Sequence, residues 1–173
     1  MRKLYYFLFF ISIASQAQVA HPIPPKGPNH LFYIQHSQNH NTFVYEANIK
    51  SKKIDQTEPI KIHRITYTKG GIKEELTKVQ RNVAYGIDIK KNRENQFVFS
   101  LVSYPEKKLY LEINANGNPQ VRTTVNGKKI VLYKMFLNLQ KGIWIKPKIE
   151  SIDFYGLDVE TGKEIKEIFY INS

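Results

Sequence analysis

The chain has 173 residues, no cysteine, 26 Lys and Arg against 15 Asp and Glu for a net charge of +11, and eleven Tyr, ten Phe and one Trp. That length holds one domain with a hydrophobic core and excludes two full-sized ones. The lack of Cys excludes disulfides, a thiolate nucleophile, Cys-ligated metal and lipoprotein acylation, and a hydrophobic content of 42% with 13% aromatics excludes a disordered or collagen-like chain.

In chain order, residues 1–17 (MRKLYYFLFFISIASQA) combine two cations, an apolar run from Leu4 to Ile13, and small residues at Ser15 and Ala17. These are the charged, apolar and small-x-small parts of a secretory signal, with cleavage expected near Ala17–Gln18. The run is shorter than the roughly 20 apolar residues of a bilayer span, so no transmembrane segment is expected after cleavage. Without Arg2 and Lys3 the net charge falls from +11 to +9, so the basicity belongs to the mature protein. Residues 18–28 are rich in proline, which favours an extended leader.

From residue 29 to 172 the pattern is that of a single β-rich domain. Period-two alternation marks strands at 31–37, 42–48, 60–67, 96–103, 108–114, 120–125, 129–137, 142–147, 150–159 and 164–171. Asn116-Gly117, Asn126-Gly127 and Thr161-Gly162 fall between them as tight turns. One stretch departs: in EELTKVQRNVAYG, Leu76, Val79, Val83 and Ala84 recur with helical spacing and Gly86 follows as a stop, which predicts a short helix over about 73–85. The expected fold is a single antiparallel β-barrel or β-sandwich of about eight to ten strands with this one helix.

Four segments, FYIQHSQNHNTFVYEANI, EPIKIHRITY, ELTKVQRNVAYGI and WIKPKIESIDFYGLD, together resemble the family of exported bacterial proteins known as domain of unknown function 4833. The most specific part is the run Leu76, Gln80, Arg81, Ala84, Tyr85 and Gly86. The resemblance implies a shared fold and an exported location, periplasmic or extracellular, and carries no activity. The chain departs from it at His36, where the family has Arg, and at Arg64, where it has Trp.

Two interpretations of the helix are open. An ideal helix puts Gln80 on the face of Leu76, Val83 and Ala84, with Arg81 and Tyr85 opposite it and able to stack. Either Gln80 satisfies a strand backbone and Arg81 pairs with a carboxylate such as Glu46 or Asp153, or Gln80, Arg81 and Tyr85 line a helix–sheet cleft with Tyr33, Tyr45 and Tyr67. Arg81 suits an anionic or amphipathic small molecule, and the tyrosines suit a glycan. No metal is expected: His30 and His36 lie about 20 Å apart along one strand, and His36 with His40 lacks a nearby carboxylate. No cofactor motif and no signature of a hydrolase, zincin or nucleotide-binding enzyme occurs.

Lys50-Ser51-Lys52-Lys53, Lys90-Lys91, Lys107-Lys108 and Lys128-Lys129 are dispersed over turns and strand ends, which points away from a nucleic-acid groove. An acidic envelope surface is the electrostatic partner that net charge favours. The leading expectation is a non-enzymatic exported domain that binds a ligand or partner. The alternatives are a structural or interaction module with no pocket, and an enzyme whose site lacks a known motif.

Overall fold

Alternation becomes strand along most of residues 21–140 and 148–171, the residues that the computed structural model describes, with 62% in strands. They form β1 (His30–His36), β2 (Asn39–Ala47), β3 (Ile49–Lys50), β4 (Lys53–Ile54), β5 (Ile60–Thr66), β6 (Ile72–Glu75), β7 (Ile87–Arg93), β8 (Gln96–Leu101), β9 (Tyr104–Ile113), β10 (Pro119–Val125), β11 (Lys128–Leu139), β12 (Ile149–Asp158) and β13 (Glu164–Tyr170). The signal at 1–17 and the strand expected at 142–147 lie outside the described residues. No helix among those described is long and apolar enough to cross a membrane.

The expectation of an antiparallel barrel or sandwich of eight to ten strands needs correction. Eleven strands make one sheet in the order β6-β5-β2-β1-β11-β10-β9-β8-β7, with β12 and β13 branching from β11, while β3 and β4 form a separate hairpin. The sheet is mixed, because β1 runs parallel to β11 with Tyr33 opposite Lys134 and His36 opposite Leu137. It curls into a half-barrel whose concave side holds the main core, including Phe32, Ile34, Phe43, Tyr45, Phe99, Leu109, Leu132 and Phe154. Closure would require β5 or β6 to pair with β7. The end strands resist it: β6 is four residues long and mostly exposed, and β7 carries Lys90, Lys91 and Arg93 on exposed positions. Short, charged edges are how sheets avoid further pairing.

The helix expected over 73–85 is shorter and differently wound. Ile72–Glu75 is strand β6, paired with β5 from His63 to Thr66. Helical winding is confined to residues 78–85, and Gln80–Tyr85 closes with the wide π spacing. That spacing breaks the 100° phase on which the apolar stripe was placed. Leu76 is buried as expected, whereas Val79 and Val83 are 71% and 64% exposed.

The hairpin turns form where expected. Asn126 and Gly127 have φ of 49° and 80°, both positive as a two-residue turn between twisted strands requires. Gly156 is needed for a different reason, close approach. Opposite Leu132 on β11, it leaves room for the neighbouring strand, since a Cβ there would lie 2.4 Å from the Val131 carbonyl oxygen and 3.3 Å from Ile130 Cβ. Gly156→Ala is therefore expected to lower the unfolding free energy by about 1–3 kcal/mol, measured by urea titration. An unchanged midpoint would show that β11 and β12 can part there freely.

Candidate functional site

The helical turn is held by its own side chains. Thr77 Oγ1 accepts from the Gln80 backbone N–H at 3.2 Å, and Gln80 Oε1 accepts from the Thr77 N–H at 3.0 Å. This reciprocal pair is a capping box, which satisfies two backbone donors at the start of a helix. Gln80 thus serves the turn itself, neither bonded to a strand nor turned into the cleft. At the other end a Cβ on Gly86 would lie 1.8 Å from the Arg81 carbonyl oxygen, so only glycine permits the tight exit into β7.

Tyr85 fastens the turn to the sheet. Its ring stacks on Phe43 with centroids 3.4 Å apart, and its carbonyl accepts from the hydroxyl of Tyr45 at 2.7 Å. Tyr45 is fully buried and stacks in turn on Phe32 at 4.4 Å. Burial raises the pKa of both phenols and keeps them neutral. Arg81 does not stack on Tyr85: its guanidinium extends outward, 3.5 Å from Glu75, a carboxylate whose side chain is 82% exposed. The expected partners Glu46 and Asp153 are engaged elsewhere, Glu46 with His63 and Lys73 and Asp153 with Lys166.

Between β5 and β7, under this turn, the half-barrel stays open as a cleft of about 500 Å³. Ile60 and Ile62 from β5, Ile87 and Ile89 from β7, and Val102 make an apolar floor, with Arg81, Asn82, Thr57 and Glu58 at its rim. The six residues singled out from sequence are therefore divided. Arg81 lines the cleft, Tyr45 and Tyr85 support it from behind, and Gln80 caps the turn. Tyr33 and Tyr67 lie on the opposite, convex face, packed with Val44 and Ile65. Alternation explains the split, since adjacent residues such as Phe32 and Tyr33 point to opposite faces of a strand. The isoleucines of β7 were missed because IDIKKNR offers only two apolar residues before four polar ones.

The three histidines weighed as metal ligands stay apart in role. His36 lies on the concave side with its ring 6.4 Å from that of Tyr85, His40 contacts His21, and His30 lies near Tyr33. No group of His, Asp or Glu among the described residues has the geometry to hold an ion.

The family model for a domain of unknown function, DUF4833, matches residues 32–168. The chain belongs to this family. No curated protein and no solved structure matches it. The DUF4833 match spans the concave core, the helical turn and both strands of the cleft. The two departures from the family resemblance, His36 and Arg64, both flank the Tyr85–Phe43 stack: Arg64 is paired opposite Phe43 in the β2–β5 ladder and bonded to Glu74.

Two outcomes follow from these contacts. Gln80→Ala removes one half of the capping box and should cost about 1 kcal/mol of stability, read from a denaturation midpoint. Burial, aided by His21, pulls the pKa of His36 down to about 4, and burial also lowers those of His30 and His63. Each stays neutral to lower pH in the fold than in the unfolded chain, which takes up a proton below about 6.5. Stability is then complete above pH 6.5 and falls as pH drops toward 4, with His36 alone contributing roughly 2–3 kcal/mol by pH 4.5. Urea unfolding at pH 7 and pH 4.5 should show the fall, and His36→Gln should reduce it; an equal fall in the variant would remove His36 from the explanation.

Proposed function

We propose that this is an exported, non-enzymatic β-domain that binds a small amphipathic molecule with an anionic head in the cleft between the helical turn and the sheet. The observation that carries the proposal is the cleft itself, an apolar floor of five side chains with the Arg81 guanidinium at its rim. The only ion-pair partner of Arg81 among the described residues is an exposed carboxylate 3.5 Å away. A pair of that kind is worth little, so an arriving carboxylate or phosphate competes for the guanidinium at small cost. The floor then takes the apolar part of the ligand, at about 25 cal/mol for each Å² removed from water.

Export and a periplasmic or extracellular location are part of the proposal. They are supported by the charged, apolar and small-residue order of residues 1–17. In that setting the net positive charge favours the encounter with an anionic ligand or envelope surface.

Dodecanoate is a suitable probe, with a carboxylate head and a chain long enough to cover the isoleucines. Calorimetric titration should show binding that weakens roughly tenfold in Arg81→Ala. Because Arg81 is exposed and weakly paired, its melting temperature should stay within about 2 °C of the parent. Absence of binding by the parent, or equal binding by both proteins, would defeat the proposal.

A further inference from the structure

Tyr133 occupies the point at which β11 changes partner. One edge of β11 pairs with β10 as far as Leu132, opposite Val121, and with β1 from Lys134, opposite Tyr33. The ladder to β12 on its other edge also shifts register between Leu132 and Lys134. The starts of β1 and β10 compete for the same stretch of backbone and splay apart, leaving a cavity of about 730 Å³. It shares no lining residue with the cleft beneath the helical turn.

The proline-rich leader forms one wall. The His21 ring Nε2 lies 3.1 Å from the carbonyl oxygen of His36, the Pro22 carbonyl accepts from Gln35 Nε2, and Pro24 is buried. The leader then passes the fork, where the Lys26 ammonium lies 5.6 Å over the Tyr133 ring.

Besides the His30 ring, whose buried nitrogens also have no hydrogen-bond partner, four polar groups line this cavity without a side-chain hydrogen bond or ion pair among the described residues: the Lys26 ammonium, the Tyr33 and Tyr133 hydroxyls, and the Glu164 carboxylate. They comprise one donor, one acceptor and two groups that do both, and the single cation and anion cancel. An anion would find Lys26 opposed by Glu164, and a wholly apolar molecule would leave all four groups unpaired. A sugar hydroxyl donates and accepts, so it satisfies each of them. A pyranose also offers a C–H face to an aromatic ring, here Tyr133, and to the apolar floor of Val131 and Leu157.

We infer that the fork between β1 and β10 is a binding site for a neutral saccharide, with Tyr133 as the stacking platform and Lys26 and Glu164 as the groups that take its hydroxyls. The volume accommodates an oligosaccharide fragment, falling within the usual range for ligand pockets.

The test titrates the purified protein calorimetrically with cellotriose, maltotriose and chitotriose, each to about 10 mM, a concentration that captures even weak binding. At least one trisaccharide should bind, and its affinity should fall roughly tenfold in Tyr133→Ala, as loss of an aromatic anchor does. Lys26→Ala and Glu164→Gln, both at exposed positions, should weaken it with unchanged circular dichroism, and they decide the matter if Tyr133→Ala proves unfolded. Arg81→Ala should leave it unaltered, which separates this site from the cleft. Silence from all three sugars, undiminished binding in the fork variants, or dependence on Arg81 would each overturn the inference.

Discussion

The edge of β11 is the constraint on which the rest of the structure depends. Each residue of a strand offers one backbone donor and one acceptor, and a buried strand must pair them. β11 pairs with β12 along one edge and divides the other between antiparallel β10 and parallel β1. Since β1 and β11 are some hundred residues apart in sequence, their parallel pairing requires no tight turn. This arrangement carries the β1–β2–β5–β6 arm to one side and the β10–β9–β8–β7 arm to the other, so that the sheet curls around one core and the two arms end in the unpaired edges of β6 and β7, with β13 the edge of the branch. Both cavities follow from it: one where the two arms diverge, the other where their far ends fail to meet.

The far opening is held by packing on the concave face. Two stacked pairs, Phe32 on Tyr45 and Phe43 on Tyr85, lead from β1 and β2 to the helical turn, and the Tyr45 hydroxyl joins them by donating to the Tyr85 carbonyl. A buried carbonyl with its partner in place is worth about 1 kcal/mol, and one left unpaired costs more. The capping box and the close approach at Gly86 fix the turn from within. Arg81 is thereby presented from a rigid base although its own side chain is solvated. A positioned cation over an apolar floor loses little freedom on binding, which is the property a ligand site requires.

Much of the strand order was legible because period two is a direct image of a sheet with one buried side. The strands expected at 31–37, 60–67, 96–103 and 120–125 form within a residue or two of those bounds, and the glycine turns close the hairpins between β9, β10 and β11. Of the strands that were missed, β6 and β7 bury little: Lys73, Glu74 and Glu75 fill most of β6, and β7 ends in four polar residues. Parallel pairing of β1 with β11 leaves no local mark, because register between distant strands is set by tertiary contacts. The helix was found and its phase was misjudged, since the π spacing exchanges which side chains point inward. That error explains why Tyr85 proved a core residue and Gln80 a cap, while Arg81 alone kept its place at the cleft.

Binding of an amphipathic anion between β5 and β7 is the central claim, and methyl NMR on isotopically labelled protein tests it most directly. On titration with dodecanoate, the methyl signals of Ile60, Ile62, Ile87, Ile89 and Val102 should shift together and saturably, while those of Val44 and Ile65 on the convex face stay in place. Shifts confined to the convex face, or none at all, would contradict it.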